Sequence, residues 1–192
     1  LVSTAYLYGF YSKRSICNSP VARTRSRRCV VSSCLKGDIN ETILNDRYDE
    51  ARRLAYEYQD LFGRGNFFLE IQHHGLDQDS IVMPQVYRLS AETGIPLVAT
   101  NDAHYLEHAD HRSQDILTCI QSGKMVTDEK RLKFSTEQFF LKTREEMMTI
   151  FGEVEDALDR TWDIAQRCQV KLNKVEDPFP KFDVPSEHSI DT

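Results

Sequence analysis

The chain has 192 residues and a mass of 22.3 kDa, with 24 basic and 30 acidic side chains and a formal charge of −6. Forty per cent of its residues are hydrophobic and 28% charged, enough apolar material for a core, which excludes a chain disordered by composition. No run of 18 apolar residues exists, so neither a membrane-spanning helix nor a membrane partner is expected. The chain opens on Leu1 with no charged segment leading into an apolar stretch, so no secretory leader is read and a start inside a longer protein is expected.

Charge is unevenly spread. Residues 1–37 contain no acid but carry Lys13, Arg14, Arg23, Arg25, Arg27, Arg28 and Lys36; the remainder holds 17 basic and 30 acidic residues. A basic head on an acidic body is the ordinary mark of a nucleic-acid-binding arm. Cys17, Cys29 and Cys34 fall in that head, while Cys119 and Cys168 stand alone. Five cysteines without a C-x-x-C pair argue against a disulfide framework and for a reduced, cytoplasmic protein.

In chain order, Cys29 to Ser33 is short and β-branched and predicts a strand. Ala51, Leu54, Ala55, Tyr58, Leu61 and Phe62 recur at helical spacing and predict a helix over 47–62, ended by Gly63 and Gly65. Asn66 to Gln72 reads as a second strand, 78–93 as a helix closed by Gly94, Ile95 to Thr100 as a third strand, and 107–121 as a helix. This alternation predicts parallel strands joined by helical crossovers. Beyond Gly123 it fades. Thr143 and Glu146 form a capping-box pattern opening a helix over 144–151. A last helix over 153–168 sets Leu158, Trp162, Ala165 and Cys168 on one face, and the tail with Pro178, Pro180 and Pro185 reads as a linker.

The chemistry-bearing residues stand just past the strands. The first strand runs into Cys34, the second into His73 and His74, the third into Asn101, Asp102, Ala103 and His104. Functional groups of parallel α/β barrels gather at the carboxyl ends of their strands, and thiol, imidazole and carboxylate are common metal ligands. Asp102 and His104, two apart in extended backbone, point to one side and can share an ion. Zinc, manganese or iron suits such a donor set. Of the adjacent histidines only one can face the site, and His74, beside Gly75, is the candidate. His108 and His111, near Asp110 at a polar helix start, read as a solvated face, with metal binding the sharper alternative. No phosphate-cradling glycine loop or serine nucleophile elbow is present.

Ser32 to Ile39 (SSCLKGDI), Phe68 to Leu76 (FLEIQHHGL), Ile95 to Leu106 (IPLVATNDAHYL) and Leu117 to Lys124 (LTCIQSGK) resemble the bacterial DNA polymerase III alpha subunits, in their N-terminal PHP (polymerase and histidinol phosphatase) domain. So do Ala5 to Tyr11, Arg131 to Phe134, Phe140 to Lys142, Glu145 to Met147 and Pro180 to Phe182; together the motifs span about nine-tenths of the chain in order. The resemblance implies an α/β fold: part of a distorted seven-stranded β/α barrel of PHP type with a helical C-terminal extension. Residues 1–175 would be the C-terminal half of the PHP domain and 176–192 a linker toward the polymerase palm. It implies Cys34, Asp102 and His104 as metal ligands, the other ligands lying upstream of Leu1, with His74 and Glu70 behind them or against substrate.

The parent so implied is a replicative, DNA-directed DNA polymerase that uses magnesium in a palm outside this segment. Its partners would be primer–template DNA, deoxynucleoside triphosphates, a sliding clamp and a proofreading exonuclease subunit. In some such proteins the PHP site is associated with 3′→5′ exonuclease activity; in others it is a scaffold. The segment alone is expected to be inactive. A free-standing PHP phosphoesterase and a metal-free docking domain are the alternatives. One stretch departs from the pattern: residues 14–29, RSICNSPVARTRSRRC, keep the expected length but lose its acids and helical periodicity. Preserved length with lost character is what translation in a shifted frame between two compensating indels produces. The competing reading is a genuine DNA-binding arm.

Overall fold

Three parallel strands with helices between them carry the apolar interior of the chain. The computed structural model describes residues 10–11, 13–14 and 29–169. Strands β1 (Phe10–Tyr11) and β2 (Lys13–Arg14) form a short antiparallel pair, Phe10 opposite Arg14. Then come β3 (Val30–Val31), α1 (Asp38–Leu44), α2 (Tyr48–Phe62), β4 (Phe67–Ile71), α3 (Asp77–Thr93) and β5 (Leu97–Ala99). A 3₁₀ turn over His108–Asp110 leads into α4 (His111–Ser122), and α5 (Arg144–Phe151) and α6 (Glu155–Arg167) complete the described chain. The sheet order is β3-β4-β5, Val30 beside Phe67 and Leu69 beside Leu97.

β4 is central, and all five of its residues are buried, as a parallel strand covered on both faces requires. Alternation divides it. Phe67, Leu69 and Ile71 face the main core with Ile39, Ile43, Ala51, Ala55, Val82, Val86 and Leu89 from the helices. Phe68 and Glu70 face the other way. Each buried Leu, Ile or Phe contributes about 1.5–3 kcal/mol, so this stripe outweighs any single polar contact in holding the helices to the sheet. On α2 the buried positions Ala51, Ala55, Gln59 and Phe62 form one helical stripe, with Leu54, Tyr58 and Leu61 half-buried beside it. Gly94 ends α3 in the left-handed conformation (φ 69°), its N–H bonding to the Ser90 carbonyl at 2.9 Å.

The strands and helices predicted from periodicity are present within a few residues of their expected bounds. Three findings differ. Helix α1 was not anticipated, because seven residues with only Ile39 and Ile43 as a buried apolar pair are too short for a periodic signal. Of the face expected on the last helix only Leu158 is buried, with Ala157 beside it, whereas Trp162 is 68% exposed and Ala165 and Cys168 are also exposed. Nor are α5 and α6 an appendage. Met147, Phe151, Ala157 and Leu158 complete the main core, the Arg160 guanidinium donates to the Leu97 carbonyl, and Arg167 donates to the Gly65 carbonyl at 2.8 Å and the Asn66 amide oxygen at 2.6 Å. The described sheet has three parallel strands, fewer than the seven of the barrel the resemblance implies. Residues 15–28, most of the aberrant stretch, and the tail from residue 170 lie outside the described residues.

Candidate metal centre

All three strand ends point one way, and each leads into a candidate side chain. After β3 the chain turns sharply: Ser33 takes a left-handed conformation (φ 74°), and the Gly37 N–H bonds to the Cys34 carbonyl at 2.8 Å. Gly37 has no room for a side chain, since a Cβ there would lie 2.4 Å from the Ser32 carbonyl oxygen. Asn40 of α1 closes the turn by donating to the Ser33 and Cys34 carbonyls at 3.2 and 3.1 Å. Cys34 is half-buried and lines a small cavity of about 10 Å³ with Asn40, Glu70, Gln72 and Asp79.

Glu70, only 8% exposed, is the polar exception in β4. Its carboxylate accepts from the Thr100 hydroxyl and from the Gln72 amide at 3.2 Å, and its backbone N–H donates to the Ser32 hydroxyl at 2.9 Å. It thereby ties the three strand ends together.

His74 is 3% exposed. Its backbone N–H donates to the Asp79 carboxylate at 2.8 Å, and its ring lies flat on Phe139, centroids 4.6 Å apart. The Asp102 backbone N–H donates to Nε2 at 3.1 Å, so in this arrangement the ring proton sits on Nδ1. Burial holds the imidazole below its ordinary pKa, against the opposing pull of Asp79. The ring is thus a neutral acceptor that fixes the backbone at Asp102.

Asp102 and His104 come together: Oδ1 and Nε2 are 3.2 Å apart and both side chains are part-exposed. His104 rests against Phe134 and Phe139 with centroids 4.8 and 5.7 Å away, and its N–H donates to the Phe139 carbonyl at 2.7 Å. The segment 134–142 is therefore the backing of the site. It pairs Phe140 with Tyr105, bonds the Thr136 hydroxyl to the His74 carbonyl at 2.5 Å, and passes Lys142 to Asn101 at 3.3 Å. Burial lowers the Lys142 ammonium pKa. Periodicity gives no hint of this backing; the aromatic cluster Phe134, Phe139 and Phe140 in an otherwise polar stretch is the one signal that could have found it.

Cys34 stands apart from the pair. It lies just past β3, two strands from β5, and strand spacing alone separates those positions by about 10 Å in an open sheet. Among the described residues no third thiol, imidazole or carboxylate joins Asp102 and His104 into a metal-holding group. His73, next to His74, is half-buried.

Residues 1–74 match the PHP domain family model. Over nearly its whole length the chain is similar to curated proteins named DNA polymerase III subunit alpha. It is 40% identical to that of Treponema pallidum over 189 residues, 98% of this chain and 16% of the relative. It is 38% identical to that of Helicobacter pylori strain J99 over 188 residues, 92% of this chain and 15% of the relative. It is 36% identical to that of Thermus aquaticus over 191 residues, 96% and 16% respectively. The chain thus spans about one sixth of the length of these relatives, and the resemblance read from its motifs is borne out.

PHP similarity points to metal dependence, and the residues present fit it in part. Two ligands on one ion at about 2.0–2.2 Å stand about 3 Å apart, which Asp102 and His104 satisfy. Cys34 does not satisfy it in the arrangement described.

Proposed function

We propose that the chain is part of the PHP domain of a replicative DNA polymerase III alpha subunit, with residues 1–175 its C-terminal half within a seven-stranded β/α barrel and 176–192 a linker toward the palm. Supporting this is the Asp102–His104 pair at the carboxyl end of β5, braced by a buried His74. Asp102 and His104 would hold a divalent ion of the zinc, manganese or iron class, with Cys34 the further ligand expected from this chain and the others from the rest of the domain. Such ions, when bound, lower the pKa of a bound water and neutralise an attacked phosphodiester.

This chain's own residues do the positioning. His74 fixes the Asp102 backbone, and Phe139 and Phe134 wall one side of His104 from water. Glu70 locks the strand ends through Thr100, Gln72 and Ser32. The site supports a 3′→5′ exonuclease or phosphoesterase role. The parent extends primer–template DNA with deoxynucleoside triphosphates and magnesium, in the cytoplasm, beside a sliding clamp and an exonuclease subunit.

The test is metal analysis of the purified parent subunit beside its Asp102→Asn variant. The expected result is divalent metal in the native protein and a marked loss in the variant. A native protein without metal, or a variant with its full complement, overturns the reading.

A further inference from the structure

We propose that the outward stripe of α4, with the loop that follows it, is a docking face for the part of the parent polypeptide that continues past Thr192. This rests on the reading that the chain is a segment of a polymerase subunit. The helix is turned inside out. Ser113, Ile116, Leu117 and Ile120 follow the i, i+3, i+4, i+7 spacing by which a surface helix ordinarily meets its core. Here Ile116, Leu117 and Ile120 are 42%, 58% and 71% exposed, while Thr118 and Cys119 are the buried residues of the helix.

The next loop extends the apolar surface. Gly123 ends α4 in a left-handed conformation (φ 64°), and Met125, Val126 and Leu132 beyond it are each more than half exposed. The loop is nonetheless held. The Met125 N–H donates to the Asp128 carboxylate at 2.9 Å, and Arg131 Nε donates to the Val126 carbonyl at 3.3 Å. The Arg131 guanidinium grips Asp115 of α4 through two bonds of 2.5 and 2.8 Å, with its side chain only 6% exposed. That pair bolts the loop to the helix, and a surface already held in place loses little freedom on docking. Apolar residues scattered singly need no partner, but six on one tied helix–loop unit mark an interaction face.

The occupant follows from where α4 stands. Helices α1, α2 and α3 bury apolar residues in the main core, whereas α4 supplies none of it and packs on the 3₁₀ turn before it. Strands that complete a barrel join at the sheet edges, β3 and β5, and cover helix faces directed at the sheet; the α4 stripe is not such a face. Its cover therefore comes from outside the barrel. The chain spans about one sixth of the length of its relatives, so most of such a subunit lies beyond it. Six side chains fall well short of the about 20–30 residues a side that join separate proteins. A tethered segment, presented at about millimolar effective concentration, docks on less.

The experiment places p-benzoylphenylalanine at position 120 of the full-length parent subunit, irradiates it and maps the cross-linked peptides by mass spectrometry. The expected result is a bond within one polypeptide, to a peptide downstream of residue 192. Adding Leu117→Asp, at an exposed position, is expected to cut its yield about 10-fold or more. A doubled mass on a denaturing gel, a bond to another subunit or to residues before 192, no cross-link, or a yield unchanged by Leu117→Asp overturns the proposal. A gene that ends soon after Thr192 refutes the parent reading itself, whereas a misplaced cross-link in an intact polymerase subunit refutes only this face.

Discussion

Replacing His74 separates the two things its ring does. Its Nε2 accepts the Asp102 N–H at 3.1 Å, and its plane stacks on Phe139 at 4.6 Å. His74→Phe keeps an aromatic ring for the stack and removes the acceptor. Orphaning a buried donor costs about 1–3 kcal/mol; Asp102 is part-exposed, so water recovers some of this and about 1 kcal/mol is expected. His74→Ala also forfeits the stack, about 0.5–1.5 kcal/mol, and opens a void in a site only 3% exposed, for a total of about 3 kcal/mol. At about 2–4 °C per kcal/mol for a chain of this size, the melting temperature falls by about 2–4 °C in the first variant and about 6–12 °C in the second. Metal affinity behaves differently. Freeing the backbone of a ligand-bearing loop costs about 10–100-fold, and both variants lose it to a similar degree. Thermal unfolding by circular dichroism and metal titration of the same samples read both quantities. If His74→Phe binds metal as tightly as the native chain, or melts as low as His74→Ala, the contact to Asp102 is not what the ring is for.

Gly37→Ala forces a methyl to within 2.4 Å of the Ser32 carbonyl, so the turn bearing Cys34 must shift; a loss of about 1–3 kcal/mol and altered Cys34 reactivity toward a thiol reagent are expected, and unchanged values of both refute it. Phe151→Ala, at a position 1% exposed, is expected to cost about 3–5 kcal/mol in denaturant unfolding, whereas Trp162→Ala, at 68% exposure, stays within about 0.5 kcal/mol. The Tyr58 phenol is pushed up to about 12 by burial and by the hydrogen bond it donates to Asp38. The folded chain therefore holds that proton more tightly than the unfolded chain, whose tyrosine titrates near about 10. Its contribution is complete below about pH 10 and is lost as pH rises through about 12, so melting curves across that window are expected to fall less steeply for Tyr58→Phe. Resequencing the DNA behind residues 14–29 is expected to reveal paired compensating indels, and an unbroken frame assigns the arginine-rich stretch to the protein.

The strands were legible because their signals are local. Phe67 to Ile71 is apolar except for Glu70 and lies between Gly65 and Gly75, and the candidate ligands could be found simply by reading the residues just past each strand. Asp102 and His104 meet because two-residue spacing suffices. What escaped depends on residues distant in the chain. The Thr136–His74 bond spans 62 residues, and Glu137 reaches His108 and His111 from a stretch with no periodicity of its own. Helical spacing could show that α6 is amphipathic but not which stripe meets β5; Trp162, the largest apolar candidate, turned outward while Ala157 and Leu158 turned in. Cys34 was grouped with Asp102 on sequence pattern alone, and the order β3-β4-β5 puts a strand between them.

The arginine that α6 extends to the Leu97 carbonyl sits 63 residues downstream of it. On a ribosome adding about 5–20 residues per second, β5 emerges about 3–13 s before the helix that covers it. During that interval Phe67, Leu69 and Ile71 have no lid from α5 or α6. A holdase chaperone, or a partner already bound nearby, has its opportunity then. Synonymous codons that slow translation between residues 100 and 155 lengthen the exposure without altering a single side chain.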